Sequence, residues 1–207
     1  MEIVAAASSD VDEAVSCLAT AFAEDPITRF LFGSGPTYQE RVTQFFSLLM
    51  RARLELGMPV LLARTKAGIH GAVMGYSTES PSWPSDLAQA WDRFEGATPG
   101  LTERVVVYDE IAARCKPAAP HYYLGVIGVA PGMQGQGVGR RLLQAFCNLS
   151  ASDPRSSGVF LETAAPSNVT FYESHGFIEA GRGALGAGTL WCMYLRHGGR
   201  AASPATS

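Results

Sequence analysis

The sequence lacks a long hydrophobic run and has no surplus of positive charge. No uninterrupted apolar stretch approaches the roughly 18–20 residues that a membrane-spanning helix needs. The first residues have neither the basic nor the apolar segment of a secretory signal, so we expect a cytoplasmic protein that does not enter a membrane. The 16 Lys and Arg against 19 Asp and Glu leave a net charge of −3, which argues against a general nucleic-acid binder.

The residues that most often bind metals are scattered along the chain. Four cysteines show no CxxC spacing, which favours reduced, mostly buried thiols over disulfides or a zinc site: Cys17, Cys115, Cys147 and Cys192. Four histidines also lack a ligand-like spacing with carboxylates or thiols, so we expect no metal: His70, His121, His175 and His197.

Hydrophobic residues make up 47% of the 207 positions, which is enough for a sizeable core in one domain. Their periodicity predicts helices over 11–22, 28–32, 38–56, 86–94, 102–115, 137–149 and 168–175. It predicts strands over 2–5, 59–65, 71–77, 122–129, 159–163, 177–182 and 189–195, with a hairpin connection over 66–70 and a Gly/Ala-rich loop before the last strand. The second half therefore indicates a mixed α/β sheet with at least one parallel crossover.

Glycines are clustered in one short stretch. Gly132, Gly135, Gly137 and Gly139 fall between the strand 122–129 and the helix that follows it. Small residues let the backbone approach a phosphate, and unpaired N–H groups together with the helix dipole attract it. The stretch therefore predicts an anion-binding loop, with an ordinary glycine-rich turn as the alternative.

Two familiar phosphate loops do not fit this cluster. A Walker A loop needs Lys and then Ser or Thr after its last glycine, whereas Val138 and Gly139 follow Gly137. A Rossmann fingerprint needs its third glycine one residue later than it occurs here. The pattern that does fit is Gln-x-x-Gly-x-Gly, which begins at Gln134.

Further motifs lie on both sides of the loop. A Val-x-Pro sequence at Val129 and Pro131 precedes it, and FLETAAPSNVTFYESHGF follows it at 160–177. With these motifs the sequence resembles the GNAT superfamily of N-acetyltransferases, and it is most similar to the puromycin N-acetyltransferase branch. The resemblance is specific over 123–193 and loose before it, through AFAEDPITR at 21–29.

The resemblance implies a single N-acetyltransferase domain over 1–197, with an acceptor-side half over about 1–120 and an acetyl-CoA-binding half over about 121–197. The implied fold is a mixed central sheet of about six to seven strands, with a splayed parallel strand pair and flanking helices. Residues 198–207 are low in apolar content, so we expect a disordered tail. Relatives in this superfamily are commonly dimers, which makes a homodimer an open option, although no sequence pattern marks an interface.

In the resembled superfamily the loop wraps the pyrophosphate of acetyl-CoA, the expected co-substrate. The resemblance assigns this contact to backbone N–H groups of the loop: Gln134, Gly135, Gln136, Gly137, Val138, Gly139 and Arg140. The Arg140 side chain then adds positive charge or, alternatively, is a solvated helix residue.

Glycines within the strand 122–129 indicate a bulge or the close approach of another backbone, with helix packing as the alternative: Gly125 and Gly128. In the resembled superfamily this strand splays from its neighbour and the pantetheine arm fills the opening. Main-chain groups of Ile127, Gly128 and Val129 are thereby implied to bond the arm and the thioester oxygen.

Asn168 and Tyr172 are four residues apart and share a helix face. The resemblance makes Tyr172 the general acid for the leaving thiolate and Asn168 a ligand of the pantetheine chain, with aromatic packing as the alternative for Tyr172. No Asp or Glu lies within 122–129, where several relatives place a general base. Glu162 is the first choice because it ends the adjacent strand, and other residues stay open as the base: Asp25, Asp109, Glu110, His121 and Tyr123.

The acceptor is expected to bind to the first half of the chain. Aromatic residues there are candidates for its pocket, although most aromatic residues at helical spacing pack in a core: Phe30, Phe32, Tyr38, Trp83, Trp91 and Tyr108. The predicted function is therefore acetyl-CoA-dependent acetylation of a primary amine on a small molecule. A protein or peptide N-acetyltransferase and a non-catalytic acyl-CoA-binding module are the alternatives.

Overall fold

The elements of the fold follow the hydrophobic pattern of the chain. The computed structural model describes residues 1–198, so the predicted tail lies outside the described residues apart from Gly198. The strands are β1 (Glu2–Ala5), β2 (Val60–Thr65), β3 (Gly68–Tyr76), β4 (Tyr122–Val129), β5 (Gly158–Thr163), β6 (Ile178–Leu185) and β7 (Gly188–Arg196). The helices are α1 (Val11–Ala21), α2 (Pro26–Phe32), α3 (Tyr38–Glu55), α4 (Ser85–Gly96), α5 (Leu101–Cys115), α6 (Val138–Ser152) and α7 (Pro166–Glu173).

All seven strands belong to one sheet, in the order β1-β2-β3-β4-β5-β7-β6. Neighbouring strands are antiparallel except for β4 and β5, which are parallel and are connected through α6. The prediction of a mixed sheet with a parallel crossover is therefore confirmed, with seven strands in the described residues.

The helices cover both faces of this sheet. Helices α1 and α3 pack on the face formed by β2, β3 and β4, and α5 packs on β6 and β7. Helix α6 packs on the opposite face, where Leu142, Leu143 and Phe146 are buried against the central strands. Helices α2 to α5 belong to the first half of the chain, to which the acceptor is expected to bind.

Strand β4 contains a β-bulge at its centre. Met74 on β3 pairs with Val126, whereas the next residue, Gly75, pairs with Leu124, so Gly125 has no partner on β3. A bulge bends the strand and increases its twist. This confirms that a strand glycine marks a bulge. Because of the extra residue, the alternation of side chains between the two faces of the sheet shifts by one residue at Gly125.

The parallel pair of β4 and β5 separates soon after it begins. Only two residue pairs connect the strands, Tyr122 with Val159 and Tyr123 with Phe160. Beyond them β4 follows β3 and leaves β5, which opens a gap at the carboxyl ends of both strands. The predicted splay is therefore confirmed.

The second glycine of β4 has a different cause. A Cβ atom on Gly128 would lie 2.8 Å from Leu18 Cδ2 and 2.9 Å from Phe22 Cε2, both on the α1 side. Helix α1 thus crosses β4 at a distance that leaves no room for a side chain. For Gly128 the helix-packing alternative is the correct explanation.

The expectation of a Gly/Ala-rich loop before the last strand is wrong. Strand β6 continues through Gly183 to Leu185, and only residues 186–187 turn the chain into β7. Small residues are needed in this strand because α5 packs on it: a Cβ on Gly183 would lie 2.8 Å from Ile111 Cγ1. The hairpin over 66–70 is also shorter than expected, since β3 already begins at Gly68.

Among the helices of residues 1–198, none has both the length and the apolar character required to cross a bilayer. The four cysteines are free, with Cys17 and Cys192 buried and the other two half-buried.

We expect Gly75→Ala to destabilise the fold by about 2–4 kcal/mol, because overpacking at a backbone contact is costly. The added Cβ would overlap the Tyr123 carbonyl oxygen at the bulge and come within 2.6 Å of Phe146 Cζ. Urea denaturation would measure the loss in free energy of unfolding. Gly96→Ala is the matched control, since nothing lies within 4 Å of its Cβ, and it should leave stability unchanged or slightly raised. Equal stability of the two variants would contradict this view of the bulge.

Candidate active site

The glycine cluster forms a tight connection between β4 and α6. After β4 the chain makes a single 3₁₀ turn over Pro131–Met133, and α6 begins at Val138. Gly135 and Gly137 have φ values of +74° and +77°, in the left-handed region that favours glycine. These two glycines are therefore required by backbone geometry.

The start of α6 presents main-chain donors beside this loop. Gly137 is the N-cap, and the N–H of Arg141 donates to its carbonyl oxygen at 3.1 Å. The N–H groups of Val138, Gly139 and Arg140 precede this first helical bond, so they have no acceptor within the helix. With the positive end of the helix dipole, they form an anion-binding terminus.

The edge of β4 presents main-chain groups to the gap beside β5. The Ala130 N–H donates to the His70 carbonyl of β3 at 2.9 Å. Because alternate residues of an antiparallel strand point to the same side, Gly128 also directs its main-chain groups toward β3, whereas Ile127 and Val129 direct theirs into the gap. Gln134 Nε2 donates to the Val129 carbonyl at 3.2 Å, which connects the loop to this edge.

A cavity of about 470 Å³, here called the loop cavity, joins the loop to the gap. Of the residues predicted to bind the cofactor, all but one line it: Ile127, Gly128, Val129, Gln134, Gly135, Gly137, Val138, Gly139, Arg140, Asn168 and Tyr172. The exception is Gln136, whose Nε2 donates to the Gly132 carbonyl at 3.1 Å and closes the loop on itself. The Arg140 side chain is exposed at the rim.

Tyr172 lies at the inner end of the loop cavity, on α7. Its side chain is 4% exposed and packs against Phe171 and Phe177. Burial raises the pKa of Tyr172, and the nearby Asp25 charge raises it further, so the phenol stays protonated at neutral pH. Asn168 lies one helical turn earlier and donates to Thr163 Oγ1 at 3.3 Å.

A second cavity of about 510 Å³, here called the aromatic cavity, lies between α2 to α5 and the sheet. Four of the six aromatic residues predicted for an acceptor pocket line it: Phe32, Trp83, Trp91 and Tyr108. Phe30 instead packs against Gly186, and Tyr38 donates to the Phe22 carbonyl at 2.9 Å, so neither lines this cavity.

The two cavities meet. Both are lined by the same five residues: Phe22, Asp25, Ile127, Asn168 and Tyr172. The Tyr172 side chain is therefore accessible from the loop side and from the aromatic side. A molecule in each cavity would bring reacting groups together at this junction.

Glu162 lies in the wall of the aromatic cavity, on β5. Tyr108 Oη donates to Glu162 Oε2 at 3.0 Å. Burial raises the pKa of Glu162 to about 7, although the hydroxyl groups of Tyr123 and Tyr108 favour the ionised form. A carboxyl group with this pKa exchanges protons near neutral pH, which suits a general base.

The other candidate bases differ in whether they line the two cavities. Asp25 caps α2 by accepting the Thr28 N–H at 2.9 Å, and burial raises its pKa. Asp109 and Tyr123 line the aromatic cavity, whereas Glu110 and His121 line neither cavity. Asp25 is therefore the one alternative carboxylate that lies at the junction.

Several further residues of the aromatic cavity were missed in the sequence, among them Phe45, Arg53 and Tyr76. For Arg53 a signal existed, because it continues the apolar helical series Val42, Phe46 and Leu49, where a charge is unexpected. Phe45 and Tyr76 had no signal that distinguishes a cavity wall from a core.

Part of the sequence matches a known domain family. Residues 102–179 match the family described as Acetyltransferase (GNAT) domain. This span runs from α5 through β4, the loop, α6, β5 and α7. It contains Glu162, Tyr172 and all the residues of the loop.

Solved structures share the fold over nearly the whole chain. A Corynebacterium glutamicum protein described as histone acetyltransferase HPA2 and related acetyltransferase is 20% identical, with a TM-score of 0.73 over 97% of this chain and 98% of that one. PH1933 from Pyrococcus horikoshii is 14% identical, with a TM-score of 0.62 over 95% and 98%. A ribosomal-protein-alanine N-acetyltransferase from Brucella melitensis is 16% identical, with a TM-score of 0.58 over 95% and 100%.

The domain match and the shared fold point the same way. Residues 102–179 match a GNAT acetyltransferase domain, the chain shares the fold of solved acetyltransferases, and together these findings support an N-acetyltransferase. Enzymes with this domain generally use acetyl-CoA. Within residues 1–198, no three His, Cys, Asp or Glu side chains are grouped so as to hold a metal ion, and the expected independence from metals stays a prediction.

We expect Tyr108→Phe to raise the pKa of Glu162 above its value of about 7, because the variant loses a hydrogen bond to the ionised carboxylate. Carbon NMR titration of glutamate-labelled protein would follow the carboxyl group directly. Tyr194→Phe is the control, since Tyr194 Oη donates to Ser157 Oγ and not to Glu162. An unchanged or lowered midpoint in Tyr108→Phe would contradict the assigned hydrogen bond.

Proposed function

We propose that this enzyme transfers the acetyl group of acetyl-CoA directly to a primary amine of a small molecule, and that it belongs with the puromycin N-acetyltransferase-like branch that residues 160–177 resemble. The observation that carries the proposal is the meeting of two cavities at Tyr172. The loop cavity offers a place for the donor and the aromatic cavity a place for the acceptor.

The residues of the loop cavity fit acetyl-CoA, which supplies the acetyl group as a thioester. The N–H groups at the start of α6 and the exposed Arg140 suit a pyrophosphate, because both attract negative charge. The gap between β4 and β5 suits an extended arm, since Ile127 and Val129 direct main-chain groups into it. Asn168 lines the same cavity, and its side-chain amide can form hydrogen bonds with such an arm.

Glu162 is the proposed general base. A primary amine is mostly protonated at pH 7 and must lose a proton before it attacks. Glu162 has a pKa of about 7, so a large fraction is ionised at that pH and can accept the proton directly or through one water. Asp25 and Asp109 in the same cavity add negative charge that favours entry of a cationic amine.

Tyr172 is the proposed general acid. Its raised pKa keeps the hydroxyl protonated, so it donates a proton to the thiolate as the thioester carbon–sulfur bond breaks. The Ile127 N–H faces the gap and is the candidate donor to the thioester oxygen, which develops negative charge when the amine attacks. The carbon–nitrogen bond forms when the amine attacks, before the carbon–sulfur bond breaks, and the nitrogen then releases its remaining extra proton to solvent to give the neutral amide.

The shape of the aromatic cavity favours a small molecule over a peptide. Its volume of about 510 Å³ lies in the range of small-molecule sites, and side chains of α2 to α5 wall it on the side away from the sheet. Two of the solved structures are named for acetylation of histones and of ribosomal protein, and those names describe those proteins.

Release of free thiol from acetyl-CoA in the presence of single acceptors tests the proposal. Aryl-alkyl amines, aminonucleosides and polyamines form one arm, and histone-like and ribosomal N-terminal peptides form the other, with mass spectrometry of the acetylated product. Turnover of small amines supports the proposal. Turnover of peptides alone would favour a protein acetyltransferase, and acetyl-CoA binding without turnover would favour a non-catalytic module.

We expect Tyr172→Phe to lower kcat by about 10²- to 10⁴-fold, the usual range for loss of a general acid. Residual turnover should remain, because a thiolate is a tolerable leaving group at neutral pH. Steady-state kinetics on the best amine would measure the effect, with Tyr194→Phe as a control outside both cavities. If Tyr172→Phe retained the full kcat, Tyr172 would not be the general acid.

The pH dependence of kcat/KM tests the base. Activity should rise with pH through about 7 as Glu162 ionises, and it should fall about tenfold per pH unit below that value. Glu162→Gln should abolish this acidic limb, whereas Glu110→Gln, at an exposed residue outside both cavities, should retain it. If Asp25→Asn removes the limb and Glu162→Gln does not, the base is Asp25.

A further inference from the structure

The aromatic cavity contains one buried positive charge that the proposed reaction does not use. Arg53 lies in the last turn of α3, and its side chain is 3% exposed. It nevertheless lines the cavity together with Gly125 and Tyr76. A buried arginine stays charged, so the absence of an opposite charge beside it is costly.

The protein satisfies only part of this guanidinium. Nη1 donates to the Leu49 carbonyl at 3.0 Å, and the group lies 4.6 Å from the centre of the Tyr76 ring as a cation–π contact. None of the ion pairs within residues 1–198 includes Arg53. Its Nε is fully buried and has no hydrogen-bond partner there, so the edge of the guanidinium that borders the cavity is the edge left to a ligand.

The bulge in β4 makes room for this edge. A Cβ on Gly125 would lie 3.1 Å from Arg53 Nη2 and 3.1 Å from Tyr123 Cε1. A larger residue at 125 would therefore stand between the guanidinium and the cavity. Tyr123 lies between Arg53 and Glu162, since its ring borders Gly125 and its hydroxyl is close enough to favour ionisation of Glu162.

The cavity thus has a positive group at one place and acidic groups at another. Asp25, Asp109 and Glu162 line the acidic part, and none of them pairs with Arg53. Aromatic side chains cover much of the wall between these groups. A ligand that complements this arrangement carries an amine and an anion separated by an apolar or aromatic body.

We propose that Arg53 is a specificity-determining residue that binds a carboxylate of the acceptor, so that the acceptor class is an aromatic or aliphatic amine with a carboxylate at its far end. This inference rests on the proposed function. A carboxylate brings the opposite charge that this guanidinium lacks and accepts a charge-assisted hydrogen bond from it, whereas a hydroxyl or carbonyl brings no charge.

Wild-type selectivity is the first test and needs no variant. Three acceptors share the aminoethyl group and differ only at the far end of one ring: 4-(2-aminoethyl)benzoate, 4-(2-aminoethyl)benzamide and 2-phenylethylamine. We expect kcat/KM for the benzoate to exceed that of the two acceptors without a carboxylate by about 10- to 100-fold, in line with a buried charge-assisted pair. Equal values, or a preference for the acceptors without a carboxylate, would overturn the inference.

The second test assigns the selectivity to Arg53. Arg53→Gln should lower the benzoate-to-benzamide ratio of kcat/KM by about 10- to 100-fold, and Arg53→Lys should restore part of it because it keeps the charge without the planar fork. Arg51→Gln is the matched control, because Arg51 is on the same helix, is exposed and lines neither cavity. Equal losses for both acceptors in Arg53→Gln would indicate a structural role and overturn the inference.

Different results would contradict the proposed function and the assignment of Arg53. If no amine releases thiol from acetyl-CoA, the proposed function fails, and this inference fails with it. If neutral amines are acetylated without any preference for a carboxylate, only the assignment of Arg53 fails. If Arg53→Gln does not fold, as judged by circular dichroism, the wild-type selectivity decides alone.

Discussion

Strands β4 and β5 remain hydrogen-bonded for only two residue pairs, and the function of the molecule depends on what happens beyond them. The bulge at Gly125 bends β4 while β3 holds it, and β5 continues in its own direction. The gap exposes main-chain groups that a continuous sheet would have paired. It also brings the glycine loop, Tyr172 on α7 and Glu162 on β5 around one opening. A fully paired strand at this place would leave neither cavity with access to the other.

Burial affects the protonation of several groups around this opening. It raises the pKa of Tyr172 so that the phenol keeps its proton, and it raises the pKa of Glu162 to about 7 so that the carboxyl group exchanges its proton near neutral pH. For Arg53 burial disfavours the charge without removing it, since guanidinium groups stay protonated in proteins. The same desolvation therefore acts on a phenol, a carboxyl group and an unpaired guanidinium that line adjoining cavities.

The sequence predicted most residues that line the loop cavity because that cavity depends on local backbone rules. Strand β4 and the loop before α6 are contiguous, and glycines with positive φ reveal such turns directly. The aromatic cavity depends on which side chains from α2 to α5 converge, and periodicity cannot separate a cavity wall from a core. Phe30 and Tyr38 therefore do not line the aromatic cavity, whereas Phe45, which was not a candidate, does. Gly128 was explained only by its contact with α1, which no local pattern contains.

The two sides of the site also differ in what fixes them. Main-chain groups and helix geometry build most of the loop cavity, so side-chain changes there have limited effect on its form. Side chains from separate helices build the aromatic cavity, and each can change without moving the loop. Only Phe22 and Asp25 of the acceptor-side half reach both cavities. The aromatic cavity can therefore change through residues such as Arg53 while the loop cavity and Tyr172 are preserved, because the contacts that hold the loop come from β4 and α6.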